Sequence, residues 1–598
     1  LSEERENLFA KVVPETAGVD LELWYRVPPK LQGAVEVGSR VIAPLGPRRQ
    51  AGVVVELSAE LPSEVPAHAL RELLRLRGRG PSREVVELSA WAAWRWCGQR
   101  GAFLRAALPP RVRTKRAGGE VASPVQEWVK VVWAEASAEA RRLVSSALQP
   151  KVPALIRLAP AIDRAGWVEL AATVAAQSGL GALVVAAGAA EAGRIAKRLS
   201  ERGCRVARLP EEWDLAEAAE VVVGSRAACF GPAPPLGVVV VVDPEEPSLR
   251  ETRSPGWDAV TVSLERARRQ RAAWLGLSAT IPLRLVEESR VFATDKATER
   301  SGWALLEVVD RRWRDPREGL LSDRAKEVAR AVSDESPACF VLNRRGRARA
   351  MRCKRCGRIA ACEYCGGGLG TKGASSELVC WRCGKQRPVV CDGCGSTKLM
   401  ALRPGVWALG EELLGLGRGP VSIVEADGDL RPQAPIVAGT SAALYRMPRA
   451  RTVVFVDFDV DLMAGRLSAE EEALVLLARA SRLVGGRGQG GRVVVQTTHP
   501  EHDLLRAVQK GDLGGWMSAE IARRRLLRLP PYAALALVDG RRAEEFLSGL
   551  GSEASVELNP LGGDRWLVRA ADHQVLCDLL CTKKRPKGLR VRIDPDEV

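Results

Sequence analysis

The sequence predicts an α/β protein of several domains, with two parallel-sheet lobes and a metal-binding insertion. Three observations carry that expectation. Short apolar runs bounded by turns alternate with helical stretches in two separate blocks. Eight of the 14 cysteines crowd into one segment as C-x-x-C pairs. The 598 residues exceed what one core can organise, which points to roughly four domains of about 150 residues each.

Residues 8–57 read as short strands with turn signals (VDLELWYRV, SRVIAPLG, AGVVVEL), a small β-rich module. Residues 66–108 read as helical, with Trp91, Trp94 and Trp96 as packing residues. A basic linker rich in Pro and Gly follows (107–120). Its Arg111, Arg113 and Arg116 are candidate phosphate contacts, against the ordinary reading of a solvated basic run. The stretch to about residue 152 is weakly helical. From about 153 to 290, GALVVAAG, CRVARLP, EVVVGSR and LGVVVVVD alternate with helices such as AAEAGRIAKRLSERG, the pattern of a parallel sheet with crossovers. A second block (VSIVEAD, APIVAGT, TVVFVDFD, GRVVVQTTHP) follows the cysteine segment. The remainder, from about 506, reads as α+β and ends in RWLVRA and LRVRIDP.

The cysteine pairs are Cys353/Cys356, Cys362/Cys365, Cys380/Cys383 and Cys391/Cys394. Each C-x-x-C turn aims two thiolates at one ion, and two turns complete a closed tetrahedral site. Eight ligands make two zinc sites, structural because neither keeps an open position. Glycines follow several of the pairs, as a turn with positive φ prefers. Spacing alone leaves the partnering of the pairs open.

Lys and Arg outnumber Asp and Glu by 89 to 73, a net charge of +16, which favours an acidic partner such as nucleic acid. Apolar residues at 46% and charged residues at 27% exclude wholesale disorder, and no apolar run approaches a membrane span. The opening LSEERENLFA lacks the pattern of a secretion signal, and a start at Leu1 suggests a missing natural N-terminus.

Two α/β lobes in a basic protein suggest a nucleic-acid motor, yet the motor's chemistry is missing. A phosphate loop needs glycines, a Lys for the β/γ phosphates and a Ser/Thr for Mg²⁺. The chain has no G-K-[S/T], and no Lys lies between Val152 and Ala196. The corresponding stretch reads LIRLAPAIDRAGW (155–167), with Gly166 alone. The strand VVVVVD ends in Asp243, but Pro244 follows where a second carboxylate belongs. Glu245 and Glu246 fall one or two residues out of register. His499-Pro-Glu-His502 reads as turn structure rather than a metal site.

The chain resembles the PriA family of primosomal replication-restart proteins (N′) over essentially its whole length. The matching stretches are YRVPPKLQGAVEVGSRVIAPLGPRRQAGVVVEL, FLRAALPPRVR, VVVGSRAACFGPAPPLGVVVVVD, LGLSATIP, CFVLNRRGRARAMRCKRCG and RRRLLRLPPYAALALV, in order around the eight cysteines. The resemblance implies two helicase-like (RecA-like) lobes. It implies an N-terminal 3′-end DNA-binding module over 1–110 and a basic linker with a winged-helix-like remnant over 111–152. The lobes would span 153–290 and 291–505, the second carrying a zinc insertion at 350–400, and a C-terminal domain would span 506–598. It implies nested zinc sites: Cys353, Cys356, Cys391 and Cys394 on one ion, Cys362, Cys365, Cys380 and Cys383 on the other. In the 3′-end pocket, Gly46 and Arg71 match family positions, whereas Leu23-Trp24 replaces an aromatic-Asp pair. Trp24 is expected to pack rather than to stack on a base.

The motor motifs depart together from the family pattern. Asp243-Pro244-Glu245-Glu246 stands for Asp-Glu-Glu-His, Gly405-Val406-Trp407 for G-T-E, and Gly439-Thr440-Ser441 for G-T-Q. ASRLVGGR keeps Arg487 of the last motif. Asp243, Glu245 and Arg487 therefore mark a degenerate nucleotide site, and no catalytic residue is assigned. The expected function is replication restart through binding of forked and single-stranded DNA and recruitment of primosome proteins and a helicase loader, without unwinding. Two zinc ions are the expected cofactors and ATP a doubtful one. The expected setting is the bacterial cytoplasm at the nucleoid, without membrane association, as a monomer when free. Two alternatives stand beside it: an active 3′-to-5′ helicase in which Arg157 or Arg164 replaces the loop lysine, and a zinc-ribbon interaction factor without fork specificity.

Overall fold

The computed structural model describes residues 7–16, 21–66, 68, 70–109, 127–149, 152–313, 319–343, 351–356, 358–364, 369–371, 377–380, 383–401, 405–417, 419–425, 432–550, 555–583 and 585–596. It forms two compact units, one of residues 1–158, 163–294 and 520–598, the other of residues 159–162 and 295–519. Arg111, Arg113 and Arg116 lie outside the described residues. No helix among the described residues is long and apolar enough to cross a membrane.

The first unit opens with a six-stranded sheet in the order Arg71–Glu72, Leu23–Arg26, Phe9–Pro14, Arg48–Ser58, Arg40–Leu45, Arg75–Gly78. Alternate residues Ala10, Val12, Tyr25, Val41, Ala43 and Val54 face its core, the period-2 pattern of a half-buried sheet. The edge strands at 71–72 and 75–78 replace the helix expected from residue 66. The leucines of RELLRLRG have helical spacing, but sheet pairing prevails: Tyr25 opposes Arg71, and Ile42 opposes Arg75. Helices begin only at Arg83–Arg95 and Arg100–Ala107. Trp96 is buried edge-on to Trp91 with ring centroids 5.8 Å apart, so these indoles do serve helix packing.

A seven-stranded, all-parallel sheet follows, in the order Arg290–Ala293, Ala154–Arg157, Ala273–Ser278, Leu236–Val242, Gly181–Val185, Val221–Gly224, Val206–Arg208. Val238 to Val242 are all buried, as expected of a parallel strand covered on both faces. Each such side chain contributes about 1.5–3 kcal/mol by leaving water. The strand Arg290–Ala293 pairs with Ala154–Arg157 at the edge, so this sheet runs three residues past 290. Helices Glu127–Glu135 and Ala138–Leu148 pack on helix Arg164–Gln177, and the described part of 111–152 contains no strand. The same unit ends in an antiparallel sheet ordered Val556–Gly562, Arg565–Ala570, Ala534–Asp539, Arg590–Ile593.

The second unit is built on a six-stranded parallel sheet in the order Leu305–Asp310, Arg492–Thr497, Thr452–Phe455, Ala338–Val341, Ile436–Gly439, Val421–Val424. Between the strands Ala338–Val341 and Val421–Val424 the chain makes the cysteine-rich insertion, which among the described residues has two small antiparallel sheets over a core that includes Met351, Ala360, Leu369 and Leu378.

Candidate functional site

The strand Ala154–Arg157 leads into the helix Arg164–Gln177, where a nucleotide-binding lobe would cradle phosphate on the loop amides and the helix N-terminus. That position carries its own anion. Asp163 caps the helix, accepting from the Ala165 amide at 3.2 Å, and also pairs with Arg194 and Arg198. These partners hold its carboxyl below the usual range even though burial opposes them.

Arg164 does not reach toward solvent. Its side chain is 2% exposed; Nε donates to Asp243 Oδ1 at 3.2 Å and Nη2 donates to the Leu158 carbonyl at 3.1 Å. Asp243, the carboxylate that would ligate Mg²⁺, is equally buried and sits in the left-handed region at φ +54°. The guanidinium thus balances the Asp243 carboxylate. Of the two residues that the active-helicase alternative offers in place of the loop lysine, Arg164 is part of the lobe's interior and Arg157 is half-buried at the end of its strand.

Glu245 turns onto the Ser278-Ala279-Thr280 segment. Its Oε1 accepts from the Ala279 amide at 3.0 Å, and Ser278 Oγ lies 2.7 Å from Oε2. Burial, with the Asp243 charge adding to it, pushes its pKa up to about 7. Ser278 Oγ also faces the Thr280 carbonyl, and its single proton serves one acceptor at a time. A protonated Glu245 supplies the missing donor. Because the folded pKa is raised, the stability tied to this proton is fully present below the ordinary glutamate range near 4.3 and is lost as pH rises through about 7. Thermal unfolding from pH 5 to 8 should therefore show a falling midpoint that Glu245→Gln flattens. An unchanged slope in the variant would count against this protonation.

Arg487, in the second unit, follows Gly485 and Gly486. Its amide donates to the Trp303 carbonyl and its Nη2 to the Gln509 carbonyl at 3.3 Å, while desolvation and the nearby Arg300 lower its pKa. Polar residues at the C-terminal ends of this unit's strands are also tied internally. Gln496 Nε2 donates to the Leu320 and Val456 carbonyls, and Ser441 N donates to Asn343 Oδ1. His502 caps the helix Asp503–Lys510 and His499 lies beside Thr498 and Asp459, so both serve turn structure.

In the insertion, the sulfurs of Cys353, Cys356, Cys391 and Cys394 all lie within 4.8 Å of one another, with Cys353–Cys394 at 3.5 Å and Cys356–Cys391 at 3.6 Å. Cys362, Cys380 and Cys383 form a second group; Cys365 lies outside the described residues. The turns take the expected knuckle form. Arg355 N donates to Cys353 Sγ, Gly393 N donates to Cys391 Sγ, and Gly384 and Gly395 have φ of +74° and +69°. The amides of Cys356 and Arg355 hold the Cys353 thiol down to about 6. Converging sulfurs are the donor set that tetrahedral zinc takes, so the residues fit that ion.

In the N-terminal sheet, Arg71 and Gly46 meet. Arg71 Nη1 donates to the Gly46 carbonyl at 2.8 Å, and Gly46 turns the chain at φ +58°. Tyr25 OH donates to the adjacent Pro44 carbonyl at 2.9 Å. Exposed Arg48 and Arg49 follow the turn and exposed Arg26 lies opposite Glu72, so this edge presents several cations. Tyr25, Arg48 and Arg49 were not singled out from the sequence, although "PRRQ" after Gly46 carries a local signal for the arginines. Trp24 is half-buried, with the Lys11 ammonium 5.9 Å from its ring.

Residues 11–109 match the family described as PriA 3′DNA-binding domain (3′BD). Relatives include the probable replication restart protein PriA of Mycobacterium tuberculosis, 32% identical over 54% of this chain and 52% of that protein. The replication restart protein PriA of Bacillus subtilis is 25% identical over 55% of this chain and 44% of that protein. The chain thus spans about half the length of the curated relatives it matches. Among solved structures, RecG bound to a three-way DNA junction is 11% identical, covering 88% of this chain and 76% of that one, at a TM-score of 0.36, too low to bear on function.

Proposed function

The chain is a member of the PriA family, and from that premise we propose that it is a DNA-binding scaffold of replication restart that recognises forks without unwinding them. The observation that carries the non-catalytic part is the buried Arg164–Asp243 pair, which sets an internal ion pair where a motor needs a free lysine and a metal-binding carboxylate. Electrostatic stabilisation of phosphoryl transfer then has no source in this lobe. Binding rests on arginines meeting phosphates, with the Gly46–Arg71 turn addressing a 3′ end. Two zinc ions, held by the two cysteine groups, supply folding free energy to the insertion. In this reading the protein works in the bacterial cytoplasm and hands the fork to primosome proteins and a helicase loader.

The test is fork binding by the full chain. Arg71→Ala should weaken binding to a fork with a free 3′ end by about tenfold and reduce the salt slope by about one, since one phosphate contact is lost. Binding to blunt duplex should change little. Equal loss on both DNAs would remove 3′-end recognition from the account. Equal affinity of the unaltered chain for fork and duplex would favour a zinc-ribbon interaction factor instead.

A further inference from the structure

Three cysteines far apart in sequence meet in the first unit, outside the sites already described. Cys577 and Cys581 stand one turn apart on one face of the helix His573–Cys581. They face the C-terminal end of the helix Arg83–Arg95, where Cys577 Sγ donates to the Arg95 carbonyl at 3.1 Å and Cys581 Sγ donates to the Trp94 carbonyl at 3.7 Å. Cys97 lies two residues beyond that helix, in the left-handed region at φ +45°, and its amide donates at 3.1 Å to the same Trp94 carbonyl that the Cys581 thiol approaches. Polar anchors hold the two helices in place around the thiols. Trp94 Nε1 donates to Asp578 at 2.7 Å, and Asp594 receives both Arg95 at 2.8 Å and His573 at 2.7 Å.

The three thiols differ in access. Cys97 and Cys577 are buried, whereas Cys581 is exposed. The contact with Cys97 and the charge of Arg585 lower the Cys581 thiol, while the neighbouring sulfurs and burial raise that of Cys97. A solvent-facing thiol lowered from its ordinary range beside a buried one is the arrangement in which peroxide oxidation goes on to a disulfide.

We propose that Cys581 and Cys97 form a peroxide-responsive thiol pair whose disulfide ties the helix Arg83–Arg95 to the C-terminal helix His573–Cys581. The Cys581 thiolate attacks a peroxide oxygen and the O–O bond breaks, giving Cys581–SOH and hydroxide. The Cys97 thiol then attacks that sulfur, and its proton leaves with the hydroxyl as water. Both thiols are oxidised by one electron each and peroxide is reduced by two. A dithiol reductant reverses the bond through thiol–disulfide exchange. The disulfide would fix the C-terminal sheet against the end of the N-terminal module, which adds a redox response that no nucleotide site supplies.

The test is peptide mapping of the full chain after brief exposure to near-stoichiometric hydrogen peroxide, alkylation of free thiols and digestion without reductant. The expected product is a Cys97–Cys581 linked peptide pair, two hydrogens lighter than its parts, absent before peroxide and lost after dithiothreitol. Cys581→Ser, at an exposed position, should abolish it with an unchanged far-UV spectrum, while Cys577→Ser should retain it. Two results overturn the proposal: Cys581 carried on to sulfinic acid without the linked pair, or a Cys97–Cys577 linked pair forming equally well in Cys581→Ser.

Discussion

Arg164→Met is expected to destabilise the first α/β lobe by about 3–5 kcal/mol, the usual cost of leaving a buried charge without its partner. Arg164 and Asp243 are both 2% exposed, so a carboxylate that loses this guanidinium has little water to turn to. It would stand beside Glu245, whose own pKa already lies near 7, and the two acids would compete for one proton. The double variant Arg164→Met/Asp243→Asn should recover most of the loss. Asn tolerates the left-handed backbone that this position requires at φ +54° and carries no charge. Denaturant unfolding of the single and double variants measures the difference. A phosphate-binding arginine, by contrast, would be exposed in the free protein, and its removal would cost little stability. Equal midpoints for wild type and Arg164→Met would therefore contradict the closed-site reading.

The second large effect is expected in the insertion. Cys391→Ser should lower bound zinc from two ions to one per chain and expose residues 351–401 to protease, while the parallel sheets stay folded. Among its described residues the insertion has a small apolar core, around Leu369 and Leu378, which cannot offset the entropy of ordering about fifty residues. Structural zinc contributes about 10–16 kcal/mol of apparent binding free energy in comparable peptides, so its loss decides whether the segment folds. Metal analysis together with limited proteolysis reads both consequences. Two ions retained in Cys391→Ser would show that Cys391 is not a ligand.

Features encoded locally were legible in the sequence. The strands of both lobes are short valine-rich runs between turns, and parallel strands covered on both faces need that pattern. The cysteine turns were legible because C-x-x-C is a local geometry; spacing left their partnering open, the resemblance implied the nested sets, and the fold brings Cys353, Cys356, Cys391 and Cys394 together. Arg164 shows the limit. As a residue it offers a plausible phosphate ligand; its burial and its partner Asp243, 79 positions away, are tertiary facts. The strands at 71–72 and 75–78 were misread for a similar reason. Their leucines fit a helix, and only the available edge of a sheet makes them strands. The Cys97–Cys577–Cys581 group joins positions more than 470 residues apart, and no spacing rule could have paired them.

The most direct measurement of the central claim is ATP hydrolysis by zinc-loaded protein with and without forked DNA, with fork binding followed in the same buffer. The account predicts salt-sensitive fork binding and no hydrolysis above background in either condition. Fork-stimulated hydrolysis would contradict it, and would mean that the Arg164–Asp243 pair opens to admit nucleotide.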